Sequence, residues 1–156
     1  MRIPVYESRL VRRGSIRSPS SIRTSSELYE LVKSKFKDLD REHFCVLYFD
    51  SGLKPIGFKL ESIGGSSQCV VDLRLLLKSA LIANASSIAL IHNHPSGELK
   101  PSREDQLLTE AVFKGCSFVG IKLIDHLIVS EVSYYSFSDE DSSFRRSFSD
   151  SREPSK

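Results

Sequence analysis

The sequence predicts an α/β domain, a mixed β-sheet flanked by helices, and three observations carry that prediction. Short apolar runs alternate with longer stretches whose apolar residues recur at helical spacing, in the order helix, hairpin, helix, strand, helix, strand. Turn and stop signals made of Asp, Gly, Pro and Ser separate those segments. The 156 residues are the size of one ordinary domain, and a hydrophobic content of 40% is enough for a real core.

Each element has its own justification. Residues 1–23 carry Arg2, Arg9, Arg12, Arg13, Arg17 and Arg23 against Glu7 alone, a net +5 in a chain whose total is +2. This basic arm reads as a solvated segment along the domain surface, with weak DNA contact through its arginines as the alternative. Val5-Tyr6 and Leu10-Val11 could add a short strand to a sheet edge, and Ser18-Pro19-Ser20-Ser21 then breaks regular structure. Thr24-Ser25-Ser26-Glu27 has the form of a capping box, and Leu28, Leu31, Val32, Phe36 and Leu39 follow it in a helix of about four turns.

His43 to Phe49 is a strand closed by the turn signal Asp50-Ser51-Gly52, with Lys54 to Leu60 as its hairpin partner. After a turn at Gly64-Gly65, a second helix runs from near Asp72 to near Asn84. Ser87 to His92 is a buried-type strand, and Ser102 to Lys114 is a third helix with Gly115 as its stop. Ile121 to Val129 is rich in β-formers, and Tyr134 to Phe137 makes one last short strand. From Ser138 onward seven of nineteen residues are serine and most others are charged, so residues 138–156 read as a disordered tail and 24–137 as the domain.

Composition excludes several classes. Lys plus Arg is 22 against 20 for Asp plus Glu, which rules out a polybasic protein. No apolar run approaches about 18 residues and the start, MRIPVYESRL, has no apolar signal core, so the expectation is a soluble, cytoplasmic chain with no membrane partner. Cys45, Cys69 and Cys116 are widely spaced, sit in apolar surroundings and form no CxxC, and they read as buried thiols of a reducing compartment.

The chemistry is concentrated in His92-Asn93-His94-Pro95-Ser96-Gly97-Glu98-Leu99-Lys100-Pro101-Ser102-Arg103-Glu104-Asp105. Residues i and i+2 of a strand point to one face, so His92 and His94 can aim two imidazoles at one point. Pro101-Ser102 begins a helix, which places Asp105 in its first turn, and the seven-residue loop folds that turn back beside the strand end. Two imidazoles and one carboxylate with a fourth position open to water match a catalytic zinc site better than a closed structural one. Zinc there would acidify its bound water and polarise a carbonyl. The plainer explanations are a structural HxH and a simple capping box from Ser102 to Asp105. They leave unexplained two histidines at the C-terminal end of a strand, where open α/β sheets place their ligands.

HNHPSG followed by PSREDQ resembles the JAMM (MPN+, JAB) metalloprotease signature: H-x-H, seven residues, Ser, two residues, Asp. It is most similar to the RadC branch, and the likeness runs from about Asp40 to Phe137, including Asp125-His126 followed by apolar residues. The resemblance implies an MPN/JAMM-type fold with one zinc held by His92, His94 and Asp105. It also implies Glu42 as the carboxylate that takes a proton from the zinc-bound water and hands it to the leaving amine. Ser102 would donate to the tetrahedral oxyanion. Glu42 has a plainer reading as a solvated charge beside Asp40 and Arg41, and His126 reads as a structural histidine on a strand. Full-length members of the branch carry a helix-hairpin-helix region ahead of this domain. Residues 1–23 are too short to hold one, so a short form is expected.

The function these residues imply is zinc-dependent hydrolysis of a peptide or isopeptide bond in a protein or peptide substrate. The alternative is a DNA-repair- or mobile-element-associated accessory protein, or a metal-dependent nuclease. A non-catalytic interaction module ranks last because every metal ligand is intact, and the sequence leaves an oligomer compatible with either reading. A zinc deaminase is excluded by the lack of PCxxC.

Overall fold

A computed structural model of the chain describes residues 7, 9–18, 20–64 and 70–140. Its strands are β1 His43–Phe49, β2 Pro55–Ile63, β3 Ser87–Asn93, β4 Lys122–Val129 and β5 Tyr134–Ser136. They form one sheet in the order β2-β1-β3-β4-β5. Only β3 and β4 run parallel, so the sheet is mixed, as expected. The helices are α1 Ser25–Val32, α2 Leu73–Ile82, α3 Arg103–Phe118 and α4 Phe137–Glu140.

Both faces of the central strands are covered, which is why HFCVLYF and SIALIHN read as continuous apolar runs rather than as alternation. On one face Phe44, Val46, Tyr48, Ile88 and Leu90 pack with Leu76 and Ala80 of α2 and Val112 and Cys116 of α3. On the other, Cys45, Leu47, Phe49, Ala89 and Ile91 meet Leu28, Tyr29 and Val32 of α1, together with Ile22 and Phe36. Cys45 and Cys116 are buried thiols as expected, and burial pushes the Cys116 thiol up to about 12. Cys69 lies outside the described residues.

Three elements differ from expectation. The capping box at Thr24 forms, but α1 stops at Val32, tightens into a 3-10 turn over Lys33–Lys35 and is followed by Asp38 at φ 55°. The expected four turns are therefore two plus a tightened one, with Phe36 still delivered to the core.

Helix α3 does not stop at Gly115 but continues to Phe118. Gly115 is a contact surface: a Cβ there would lie 3.0 Å from Leu77 Cδ1, so its bareness lets α3 approach α2. The true stop is Gly120 at φ +74°, where Ile121 N donates to Cys116 O (2.9 Å) and Gly120 N to Ser117 O (3.3 Å) in a Schellman arrangement. At the other end of the domain, the segment expected to begin the tail forms the helical turn α4, and residues 141–156 lie outside the described residues.

Ile22, assigned from sequence to the arm, is 3% exposed, and its amide donates to Leu53 O at 3.0 Å. Leu10 and Val11 are exposed and belong to no strand, while Val5-Tyr6 lies outside the described residues. Among the described residues no helix is long and apolar enough to cross a membrane.

Candidate metal centre

The sheet brings the sequence-predicted ligands together at the C-terminal end of β3. His92 lies in β3, His94 follows just past its end, and a turn closed by Gly97 N to His94 O (2.9 Å) starts the return to α3. Ser102 caps α3 and Asp105 sits at its third position, each answering the other: Ser102 Oγ accepts from Asp105 N at 3.1 Å, and Asp105 Oδ2 accepts from Ser102 N at 2.7 Å. Ligand atoms of His92, His94 and Asp105 all lie within 4.8 Å of one another. His92 Nε2 is 3.0 Å from His94 Nε2 and 3.1 Å from Asp105 Oδ1, and His94 Nε2 is 3.4 Å from Asp105 Oδ2.

These residues fit a divalent cation. His94 Nδ1 lies 2.7 Å from the Glu98 carbonyl, which only accepts, so Nδ1 carries the proton and Nε2 of the neutral ring faces the cluster bare. Asp105 Oδ2 is already held by Ser102 N and by Ser102 Oγ (2.6 Å), leaving Oδ1 for an ion. Donor atoms around a tetrahedral ion with bonds of about 2.0–2.1 Å stand about 3.3 Å apart, close to the spacings here. Without a cation, or a proton standing in for one, so many acceptors at this distance repel.

The electrostatics agree. The hydrogen bond to Asp105 raises the His94 pKa against the opposing effect of burial, with Glu98 and the charge of Glu42 adding to the rise. Burial alone would raise Asp105, but hydrogen bonding to His92, His94 and Ser102 overrides it and holds the carboxyl well below the usual carboxylate range.

Glu42 lies at the same end of the sheet. β1 runs antiparallel to β3 with Phe44 opposite His92, and extending that pairing by two residues sets Glu42 across from His94. Its backbone is held from both sides. Asn93 Oδ1 accepts from His43 N at 2.8 Å, Asn93 Nδ2 donates to Arg41 O at 3.0 Å, and Glu42 O accepts from Gly64 N at 2.7 Å.

Residues 22–142 match the model of the RadC-like JAB domain. This chain belongs to the RadC-like JAB family. A UPF0758 protein of Protochlamydia amoebophila is 39% identical over 128 residues, covering 82% of this chain and 55% of that protein. A UPF0758 protein of Methanococcoides burtonii is 37% identical over 119 residues, 76% of this chain and 52% of its own length. One from Thermotoga maritima is 36% identical over 124 residues, 80% and 55% respectively. The chain spans about half the length of the curated relatives it matches. RadC-like JAB domains are generally metal-dependent and hydrolase-like, and this one has a His-His-Asp cluster that could hold the ion.

Two further groups of this JAB domain touch the centre. His126, read from sequence as structural, is fully buried with its Nε2 2.8 Å from His92 Nδ1 and its Nδ1 2.6 Å from Thr109 Oγ1. Burial, reinforced by the neighbouring imidazoles and opposed by Asp105, pushes its pKa well below the ordinary histidine range. Thr109 was not singled out from the sequence. Its position four residues after Asp105, on the same helical face, was the available signal. Asn93 was likewise passed over, because its side chain faces away from the two histidines that flank it. Asp125 turns to the β5–α4 corner instead, accepting from Ser136 Oγ (2.8 Å) and Ser138 N (3.1 Å).

Proposed function

We propose that this RadC-like JAB domain is a zinc-dependent hydrolase of peptide or isopeptide bonds in a protein or peptide substrate. The observation that carries the reading is the convergence of His92, His94 and Asp105 at a sheet end that also presents Glu42. Two imidazoles and a carboxylate suit zinc among the common divalent ions. When bound, the ion supplies an acidified water and polarises the scissile carbonyl. Glu42 accepts the proton of the attacking water and delivers it to the amine nitrogen as the carbon–nitrogen bond breaks, returning to its starting state. The Ser102 hydroxyl donates to Asp105 Oδ2 here. To serve the tetrahedral oxyanion its one hydroxyl proton turns toward substrate, while the Ser102 amide keeps its hold on Asp105.

Metal analysis of the purified protein beside His94→Ala and Asp105→Ala tests the centre. The expected result is near-stoichiometric zinc in the wild type and its loss in both variants, with any peptidase activity. A wild-type protein that carries no metal, and whose melting temperature is indifferent to zinc and chelator, sinks the reading.

One observation favours nucleic acid as a second partner: Arg9, Arg12, Arg13 and Arg17 are all exposed along a stretch without helix or strand. A chain lacking residues 1–21, which keeps the buried Ile22, is expected to bind duplex DNA more weakly and with a flatter salt dependence. Equal DNA affinity with and without the arm removes this reading, and metal-dependent DNA cleavage by the wild type replaces the peptidase with a nuclease.

A further inference from the structure

Behind the metal-binding face of His92 lies a buried chain of polar contacts that neither the expected mechanism nor the ligand set uses. Thr109 Oγ1 stands 2.5 Å from the Asp105 carbonyl oxygen and 2.6 Å from His126 Nδ1, and His126 Nε2 stands 2.8 Å from His92 Nδ1. His92 and His126 are 0% exposed, Thr109 3% and Asp105 8%, so the contacts must be satisfied among themselves. The His126 ring is walled by Phe137, stacked at 5.0 Å, and by Phe44, edge-on at 5.6 Å.

Each of the three gaps needs one proton, and the proton inventory allows a single arrangement. The Asp105 carbonyl has none to give, so the Thr109 hydroxyl proton must fill the first gap, leaving Oγ1 as the acceptor in the second. Buried out of water between Phe44 and Phe137, the His126 ring holds one proton, which lies on Nδ1 and leaves a bare Nε2 facing His92. His92 therefore supplies the last proton from its own Nδ1. The reverse polarity would leave the Thr109 and Asp105 oxygens 2.5 Å apart with no proton between them.

We propose that Thr109 and His126 are positioning residues that lock His92 with Nδ1 protonated and Nε2 turned to the metal, with the Asp105 carbonyl as the fixed end of the relay. This rests on the metal-centre reading. Asp105 thereby acts twice, binding through its carboxylate and orienting a second ligand through its backbone. The two histidines are governed differently: His94 is set directly by the Glu98 carbonyl, His92 through two intervening side chains.

The placement depends on a register break in the sheet. β3 and β4 pair Ile88 with Leu123 and then Ala89 with Asp125, so Ile124 is an extra residue that inverts the alternation of β4. His126 and Ile128 thereby share the face of Leu90 and His92.

Nitrogen-15 NMR of the histidine rings in metal-free protein, with zinc affinity by chelator competition, tests the relay. His126→Phe keeps an aromatic ring between Phe44 and Phe137 but removes the acceptor. Thr109→Val removes the hydroxyl, and Thr109→Ser restores it. The expected result is protonated Nδ1 on both His92 and His126 in the wild type. Zinc affinity falls about 10–100-fold in His126→Phe, falls less in Thr109→Val and returns in Thr109→Ser. A purely structural role would change melting temperatures while leaving ring protonation and affinity untouched. A bare Nδ1 on His92, or wild-type zinc affinity in both folded loss variants, overturns the proposal. Failure of the wild type to bind zinc refutes the metal centre instead, and the ring spectra, taken without metal, still decide the relay.

Discussion

Glu42→Gln is expected to bind zinc at the wild-type stoichiometry and to hydrolyse peptide substrate more slowly by a factor on the order of 10² or more. The substitution keeps the size and hydrogen-bonding reach of the side chain but removes its ability to carry a proton. Metal content should not change, because the ligand cluster is His92, His94 and Asp105 and does not include Glu42. Stability should change little, since the residue is only partly buried and its place is fixed through backbone groups. Arg41 O and His43 N, on either side of it, are both held by the Asn93 side chain. That clamp matters for the size of the effect, as a proton acceptor acts only if its backbone does not drift from the attacking water. Zinc content and single-turnover cleavage, measured on one preparation, check both halves. Undiminished turnover in the zinc-loaded variant would move the proton-transfer role elsewhere.

The legible parts of this protein were those governed by local rules. The apolar runs of β1 and β3 and the capping boxes at Thr24 and Ser102 follow from residue type and spacing alone. So does the grouping of His92 with His94, which needs only the two-residue period of a strand. The illegible parts depend on partners distant in the chain. Gly115 reads as a helix stop by local chemistry, and only the arrival of Leu77 from α2 makes a bare position in mid-helix the better use of it. His126 could not be assigned a face, because the inversion at Ile124 exists only in the pairing of β4 with β3. Ser102 combines the two cases. Its cap was readable, but the direction of its hydroxyl is settled by Asp105, whose position depends on the folded loop.

Chelated protein is expected to lose stability with rising pH over a range in which zinc-loaded protein holds it. In the metal-free chain His94 is raised above the ordinary histidine value, chiefly by its contact with Asp105. A group raised on folding contributes stability that is complete below its unfolded pKa, about 6.5, and is lost as pH climbs through the folded value. Asp105 is lowered on folding, so its contribution is present above about 3.9 and lost toward strong acid. The contact between His94 and Asp105 is common to both statements, and its full contribution falls between those limits. The chelated protein should therefore lose melting temperature as pH rises above about 6.5 through the His94 transition. An ion entering the cluster must displace that same proton, so its affinity should climb about tenfold per pH unit while His94 is protonated and then level off. Zinc binding to the folded form alone converts that climb into stability, which offsets the loss seen in the chelated form and leaves the loaded protein with a nearly level melting temperature over the same range. Asp105→Asn, which loses both the ligand and the partner that raises His94, should flatten the chelated curve and abolish the gain from zinc. Thermal melts across that range with zinc and with chelator provide the check. A chelated wild type that gains stability through the His94 transition would mean that no proton is held where the ion is expected to sit.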